Sequence, residues 1–144
     1  MEGTIIAVCL SSAKGERKTA IPQVDVQKNF GIVGDAHAGE WHRQISLLAW
    51  ESIEKMRAKG LDVGLGDFAE NLTTTGLDLP HLPVGTRLRA GEVLLEVTQI
   101  GKSCHSHCAI YELAGDCVMP KEGIFARVLE GGTLAANTPI TVLD

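Results

Sequence analysis

The sequence is poor in several features that define whole classes of protein. Aromatic residues make up only 4% of its 144 residues. No apolar run approaches the ~20 residues that a helix needs to cross a bilayer. The first residues, from Met1 to Thr4, have neither the basic start nor the long apolar stretch of a secretory signal. We therefore expect a cytoplasmic protein that contacts no membrane.

Positive charge is also scarce. The chain has 13 lysines and arginines against 18 aspartates and glutamates, which gives a formal net charge of −5. Proteins that bind nucleic acid without sequence preference are usually basic, so we expect no nucleic-acid partner. An anionic small molecule is still compatible with this charge, because its site needs only a local group of arginines or lysines.

Glycine is abundant, with 16 residues, and five prolines add further turns. Apolar residues make up 44% of the chain, enough for one core. The length is that of one domain, so we expect a single domain over residues 1–144. The hydrophobic pattern predicts strands at 4–10, 19–26, 43–49, 70–75, 86–90, 92–99 and 139–143, a helix at 50–59 and a short helix at 106–114. Residues 123–129 fit either a strand or a helix. This predicts a mainly β fold, a closed or nearly closed β-barrel with a few short helices.

A first polar cluster runs from Gly34 to Gly39 and contains Asp35 and His37, with Arg43 a few residues later. The glycines allow tight turns that can hold these side chains at a pocket rim. An Asp-X-His pattern can orient an imidazole or bind a metal. A glycine loop with solvated polar residues is the alternative. We predict Asp35 and His37 as catalytic residues and Arg43 as a cofactor-binding residue.

A second cluster places Glu70 and Asn71 at the start of a predicted strand. Successive side chains of a regular strand point to opposite faces, so at most one of the two is expected to face inward. A buried Glu–Arg pair, or an asparagine that caps the loop backbone, is the structural alternative. We predict both as cofactor-binding residues.

A third cluster concentrates thiols and imidazoles in five residues: Cys104, His105, His107 and Cys108. These ligands suit zinc, copper or iron. Five consecutive residues do not easily wrap four ligands around one ion, so a complete site would need a further ligand from Cys117 or a distant histidine. Alternatively, Cys104 is a reactive thiol whose cationic neighbours favour the thiolate. Cys9, in an apolar run, is predicted to be a small buried side chain.

A fourth cluster holds Lys121 and Arg127 near the glycines at 131 and 132. Either cation can receive an anion, although each taken singly is more typical of a solvated surface charge. We predict both as cofactor-binding residues.

Read in order, these clusters resemble the MOSC domain family, named for the C-terminal domain of molybdenum-cofactor sulfurases. The resemblance rests on Gly-Asp-Ala-His-Ala-Gly, Arg-Gln-Ile-Ser-Leu-Leu, Gly-Asp-Phe-Ala-Glu-Asn-Leu-Thr, Leu-Pro-Val-Gly-Thr-Arg-Leu, Gln-Ile-Gly-Lys-Ser-Cys and Gly-Ile-Phe-Ala-Arg-Val-Leu. Each motif is weak alone, but the six occur in the order found in the family and span nearly the whole chain.

The resemblance implies a β-barrel and a role around the molybdenum cofactor, a pterin dithiolene that carries a phosphate. The characteristic cysteine of the family falls on Cys104. In sulfurase-type members it is proposed to carry sulfur as a persulfide, and in amidoxime-reducing members it binds molybdenum. The implied partners are the pterin cofactor and a cysteine desulfurase or a molybdoenzyme. The chain has no room for a pyridoxal-phosphate desulfurase domain, so pyridoxal phosphate is not expected.

The sequence therefore favours a molybdopterin-binding protein that handles sulfur or metal through Cys104. Two other functions fit the same residues. One is a molybdenum-dependent reductase of N-hydroxylated compounds, with Cys104 as metal ligand. The other is a binding module with a zinc site at the third cluster. We also expect the motif residues Asp35, His37, Glu70, Asn71, Cys104 and Arg127 to converge on one cleft at the barrel mouth.

Overall fold

A computed structural model of the chain describes residues 1–13, 17–101 and 122–143. Within this part, the secondary structure is mainly β, with one α-helix, α1 (Trp50–Arg57), and one short 3-10 helix (Leu79–His81). The strands, in chain order, are β1 (Glu2–Leu10), β2 (Thr19–Ile21), β3 (Gln23–Gln27), β4 (Gly31–Ile32), β5 (Ile45–Ala49), β6 (Leu72–Thr75), β7 (Arg87–Ala90), β8 (Val93–Ile100), β9 (Ile124–Glu130), β10 (Gly132–Ala135) and β11 (Thr138–Leu143). None of the described helices is both long and apolar enough to cross a membrane.

Seven strands form a closed barrel. They pair in the order β11-β7-β8-β9-β5-β6-β1, and a further antiparallel pairing of β11 with β1 closes the ring. The β5–β6 pair is parallel, with α1 in the connection between the two strands, and the other barrel pairs are antiparallel. The predicted mainly β barrel is therefore confirmed.

The predicted strand at 19–26 is wrong as one element. Pro22 divides it into β2, which pairs with β1 at the edge of the large sheet, and β3, which pairs with β10 and β4 in a separate three-stranded sheet. Proline has no N–H to donate to a ladder, so the chain leaves one sheet and enters another at this point. Strands β4 and β10 were not among the predicted elements.

The core has two parts because β5 and β9 are covered on both faces. Leu47 and Ile124 belong to the larger cluster, which strands all round the barrel share. Their chain neighbours Leu48 and Phe125 point to the opposite face and pack with Ile53 and other apolar residues near α1. The two faces of β5 and β9 are therefore anchored independently.

The remaining strand predictions hold with shifted ends. Residues 123–129 form a strand, β9, and the 86–90 and 92–99 segments form the β7–β8 hairpin about Gly91, whose φ is 57°. The predicted short helix at 106–114 lies outside the described residues.

Candidate functional site

Asp35 lies at the centre of a buried polar network in the glycine-rich loop after β4. Its Oδ1 accepts hydrogen bonds from the backbone N–H of Ser11 at 3.1 Å and from Lys18 Nζ at 2.8 Å. Its Oδ2 accepts from the backbone N–H of His37 at 3.1 Å. The carboxylate thus holds three donors and fixes the loop against the end of β1, which leaves it engaged in protein contacts rather than open to a ligand.

Lys18 was not singled out in the sequence analysis, yet its side chain has no solvent exposure. Besides Asp35, its Nζ contacts His37 Nδ1 at 3.1 Å and Ser11 Oγ at 3.4 Å. A buried lysine is rare unless it is paired, because burial removes the hydration of its charge. The pair with Asp35 supplies that compensation.

His37 connects this buried pair to an aromatic group. The Trp41 ring lies parallel to the His37 imidazole, with centroids 6.4 Å apart, and Trp41 Nε1 donates to the His37 carbonyl at 2.7 Å. The Arg43 guanidinium lies 4.7 Å from the centroid of Trp41 and 5.5 Å from that of Phe125. Both distances are within the range of a cation–π contact.

Glu70 organises the loop before β6. Its carboxylate is fully buried and accepts from the backbone N–H groups of Gly66 at 3.0 Å and Phe68 at 3.2 Å, and from Thr73 Oγ1 at 2.8 Å. Burial raises the pKa of Glu70 above its ordinary value, and the hydrogen bonds offset part of that rise. No arginine pairs with it among the described residues.

Asn71 ties three parts of the fold together. Its Oδ1 accepts from the Ser46 backbone N–H at 2.9 Å, and its Nδ2 donates to the Cys9 carbonyl at 3.1 Å. It is fully buried, as is Glu70, so the expectation that at most one of the pair faces inward is wrong. Both residues lie in the turn before β6, where the alternation of a regular strand does not apply. These contacts hold the backbone, and cofactor contact stays a prediction for both.

The first two clusters are joined through Lys18. Its backbone N–H donates to the Gly66 carbonyl at 2.8 Å, while the Gly66 N–H donates to Glu70. The approach is so close that a Cβ on Gly66 would lie 2.0 Å from the Lys18 carbonyl oxygen, and Gly66 has a φ of 79°. Only glycine fits there.

Arg127 lies apart from this network and lines a cleft of about 480 Å³. The cleft is bounded mainly by Glu40, Trp41, His42, Glu96, Thr98 and Arg127. Arg127 binds Glu96 through Nε at 2.8 Å and Nη2 at 2.7 Å. An anion would therefore compete with Glu96 for this guanidinium.

Arg43 differs from Arg127 in this respect. Its Nε is buried and has no hydrogen-bond partner among the described residues. An unpaired buried donor costs ~1–3 kcal/mol, so the position favours an added acceptor. Arg43 does not itself line the cleft, but its guanidinium contacts Trp41, which does.

The predicted metal ligands and Lys121 lie outside the described residues: Cys104, His105, His107 and Cys108 all fall in 102–121. Gly101 and Gly123, on either side of this segment, are joined by a hydrogen bond in which the Gly101 N–H donates to the Gly123 carbonyl at 2.6 Å. In the described ranges, no group of three or more histidine, cysteine or acidic residues is arranged to hold a metal ion.

Cys9 is fully buried, as predicted. Burial and the neighbouring Glu70 charge raise the pKa of its thiol to about 12, which makes it a poor nucleophile. The described cysteine is therefore structural.

The MOSC domain family model matches residues 34–141, three quarters of the chain. The chain belongs to the MOSC domain family. No curated protein matches it.

Solved structures with the same fold agree with this membership. YuaD from Bacillus subtilis is 18% identical, with a TM-score of 0.81 over 97% of this chain and 94% of that one. YiiM from Geobacillus stearothermophilus is 22% identical, with a TM-score of 0.74 over 99% and 75% of the two chains. YiiM from Escherichia coli is 18% identical, with a TM-score of 0.70 over 100% and 70%. At these identities the likeness shows the fold.

Of the residues predicted to share one cleft in this MOSC domain, Cys104 lies outside the described residues, and the described ones form two adjacent groups. Asp35 and His37 share a buried network with the loop held by Glu70, whereas Arg127 lines the cleft. Trp41 links the groups, since it stacks on His37 and also lines the cleft. Lys18 and Trp41 were not among the predicted site residues. Trp41 could have been found as an aromatic residue in a glycine-rich loop. Lys18 is a single lysine beside a strand, and its sequence context gives no such indication.

Proposed function

We propose that this MOSC domain binds the molybdenum cofactor, molybdopterin, in the cleft beside Trp41 and handles sulfur through Cys104. The observation that carries the proposal is the buried Arg43 Nε, which has no hydrogen-bond partner among the described residues and belongs to a guanidinium in contact with the cleft-lining Trp41. Membership of a family associated with molybdenum-cofactor proteins supplies the class of ligand.

The residues present fit such a ligand. A cleft of about 480 Å³ is within the ~300–1,000 Å³ range of small-molecule sites. Arg43 can offer a planar set of N–H donors to a phosphate, a geometry in which arginine exceeds lysine. Trp41 and Thr98 add an aromatic edge and a hydroxyl to the wall. We assign the phosphate to Arg43 ahead of Arg127, because Glu96 already occupies Arg127.

The position of Cys104 in the sequence supports its part in the proposal. Thr98 lines the cleft and Gly101 is three residues before Cys104. Three residues extend at most ~10–11 Å, so a thiol at position 104 is within reach of this end of the barrel. His42 is fixed at the same end by a 2.8 Å contact between its Nε2 and Gln99 Oε1.

The chemistry proposed for Cys104 is acceptance of a sulfane sulfur from a protein persulfide. The Cys104 thiolate attacks the outer sulfur of the donor, a new S–S bond forms, and the donor S–S bond breaks to release the donor as a thiolate. A cysteine desulfurase that carries such a persulfide is the class of partner that fits. The cofactor, when bound, supplies the sulfur and metal chemistry of its dithiolene.

The test is to purify the chain after expression with a molybdopterin supply and to measure molybdenum, zinc, pterin and sulfane sulfur. We expect pterin in the wild type. After incubation with a desulfurase and cysteine, we expect sulfane sulfur that Cys104→Ala loses and Cys9→Ala retains. Stoichiometric zinc without pterin would contradict the proposal and favour the zinc module. Pterin with molybdenum, but no sulfane sulfur under any condition, would overturn the sulfur-handling part.

A further inference from the structure

The contacts of the Lys18 ammonium bear on the protonation state of His37. Lysine has three N–H donors and no acceptor. Nζ has three neighbours that can accept: Asp35 Oδ1 at 2.8 Å, His37 Nδ1 at 3.1 Å and Ser11 Oγ at 3.4 Å. Each donor of a charged lysine therefore has one acceptor.

The hydrogen bonds that Asp35 receives match those of a carboxylate. Its oxygens receive the N–H groups of Ser11 and His37 and the Lys18 ammonium. A protonated carboxyl would need an acceptor for its own O–H, and each of these three contacts comes from a donor. A carboxylate on Asp35 and an ammonium on Lys18 satisfy every one of these contacts, in an environment without solvent exposure.

If Lys18 is charged, His37 Nδ1 has to accept its hydrogen bond. A neutral imidazole has one donor nitrogen and one acceptor nitrogen, so the proton then lies on Nε2. The competing arrangement, with Nδ1–H donating to Asp35, is disfavoured because Nδ1 lies 3.9 Å from Oδ2, beyond hydrogen-bond range.

We propose that Lys18 is a positioning residue that holds His37 as the neutral Nε2–H tautomer. His37 therefore presents a donor, and any group that meets Nε2 must accept a hydrogen bond, as an oxyanion or a thiolate sulfur does. The proton keeps a metal ion from Nε2, and the Lys18 hydrogen bond occupies the lone pair of Nδ1. This inference concerns the protein without ligand and does not depend on which cofactor the cleft binds.

The test is the tautomeric state of His37 in the ligand-free chain labelled with 15N-histidine. The signals of the five histidines are assigned with His37→Gln. At about pH 8, above the ordinary imidazole pKa of ~6.5, two-bond 15N–1H couplings distinguish the tautomers. We expect protonated Nε2 and unprotonated Nδ1. A protonated Nδ1 in the wild type would overturn the proposal, whatever the variants do.

Lys18→Met provides the second arm. It removes the donor to Nδ1 and leaves the Asp35 carboxylate without its cation, so His37 becomes its nearest replacement. We expect the proton population on Nδ1 to rise. Lys18→Met with Asp35→Asn removes both charges, and we expect an intermediate tautomer mixture. An unchanged Nε2–H spectrum in folded Lys18→Met would show that Lys18 does not set the tautomer.

Discussion

The Lys18 ammonium nitrogen lies 2.8 Å from Asp35 Oδ1, and neither side chain has solvent exposure. The pair joins the segment before β2 to the loop after β4. A second contact from the same nitrogen reaches His37 Nδ1 at 3.1 Å. The Lys18 nitrogen thus takes part in a structural ion pair and also contacts a candidate catalytic imidazole. The stability of the fold and the geometry of the site therefore both depend on Lys18.

Removing one partner of this pair is expected to destabilise the fold strongly. Lys18→Met leaves a buried carboxylate without a cation, and such changes cost about 3–5 kcal/mol. Asp35→Asn leaves a buried ammonium in the same way. The measurement is the free energy of unfolding from urea titration of each variant.

The double variant Lys18→Met with Asp35→Asn is the control for that experiment. Neither charge is left alone, so we expect it to lose less free energy than the sum of the two single changes, with a coupling of about 0.5–3 kcal/mol. Strict additivity would mean that the two side chains do not interact in solution.

Gly66 should not tolerate alanine. A Cβ would lie 2.0 Å from the Lys18 carbonyl oxygen, and the φ of 79° is unfavourable for any L-side chain. We expect Gly66→Ala to lower the melting temperature well below that of the wild type and to disturb the Lys18 contacts.

Gly64→Ala is the matched substitution two residues away. Its Cβ would meet nothing within 4 Å. We expect a change within about 0.5 kcal/mol, as for most surface positions. Equal losses in the two variants would contradict the close approach of Gly66 to Lys18.

Glu70 should give stability a measurable pH dependence. Its pKa is raised above 4.5 in the folded protein, chiefly by burial. The folded state therefore holds the proton more tightly than the unfolded state does. The resulting stabilisation is present below the unfolded pKa and is lost as pH rises through the folded pKa.

Comparison with Glu70→Gln isolates this contribution. We expect the wild type to lose unfolding free energy relative to the variant as the pH rises from about 4.5, the ordinary pKa of a glutamate. The measurement is denaturant unfolding across the acid range. A relative stability that rises with pH would show that the three hydrogen bonds outweigh burial.

Cys9 should resist alkylation in the folded protein. Burial raises the pKa of its thiol to about 12, so little thiolate is present at pH 7, and the side chain is fully buried. We expect iodoacetamide to modify Cys104 first and Cys9 only after addition of denaturant. Peptide mass spectrometry reads the order, and rapid native labelling of Cys9 would contradict its burial.

Much of the barrel was predictable from sequence because its strands are short apolar runs between glycines. Every residue of β5 is buried and β8 has a strong strand pattern, so both segments are readily identified as strands. The strand at 19–26 could not be divided correctly, because alternation continues across Pro22 and does not show which partner strand each half finds. The two-residue β4 is too short to leave a periodic signal.

The candidate site was predictable in residue type but not in connection. Asp35 and Asn71 stand out in their motifs, yet their partners include Lys18 and the Cys9 carbonyl, which are distant in sequence. Local patterns do not encode such long-range contacts. Lys18 has an ordinary sequence context, and only the fold shows that it is buried.

The most direct test of the central claim is a fluorescence titration with purified molybdopterin. The chain has two tryptophans, and only Trp41 lines the proposed cleft, so Trp50→Phe leaves Trp41 as the sole reporter. We predict saturable quenching with one cofactor per chain. Adding Arg43→Met should weaken the binding affinity at least tenfold, and adding Arg127→Met should weaken it less. Each tenfold change in affinity is about 1.4 kcal/mol. Absence of saturable quenching, confirmed by absence of pterin retention on gel filtration, would contradict the account.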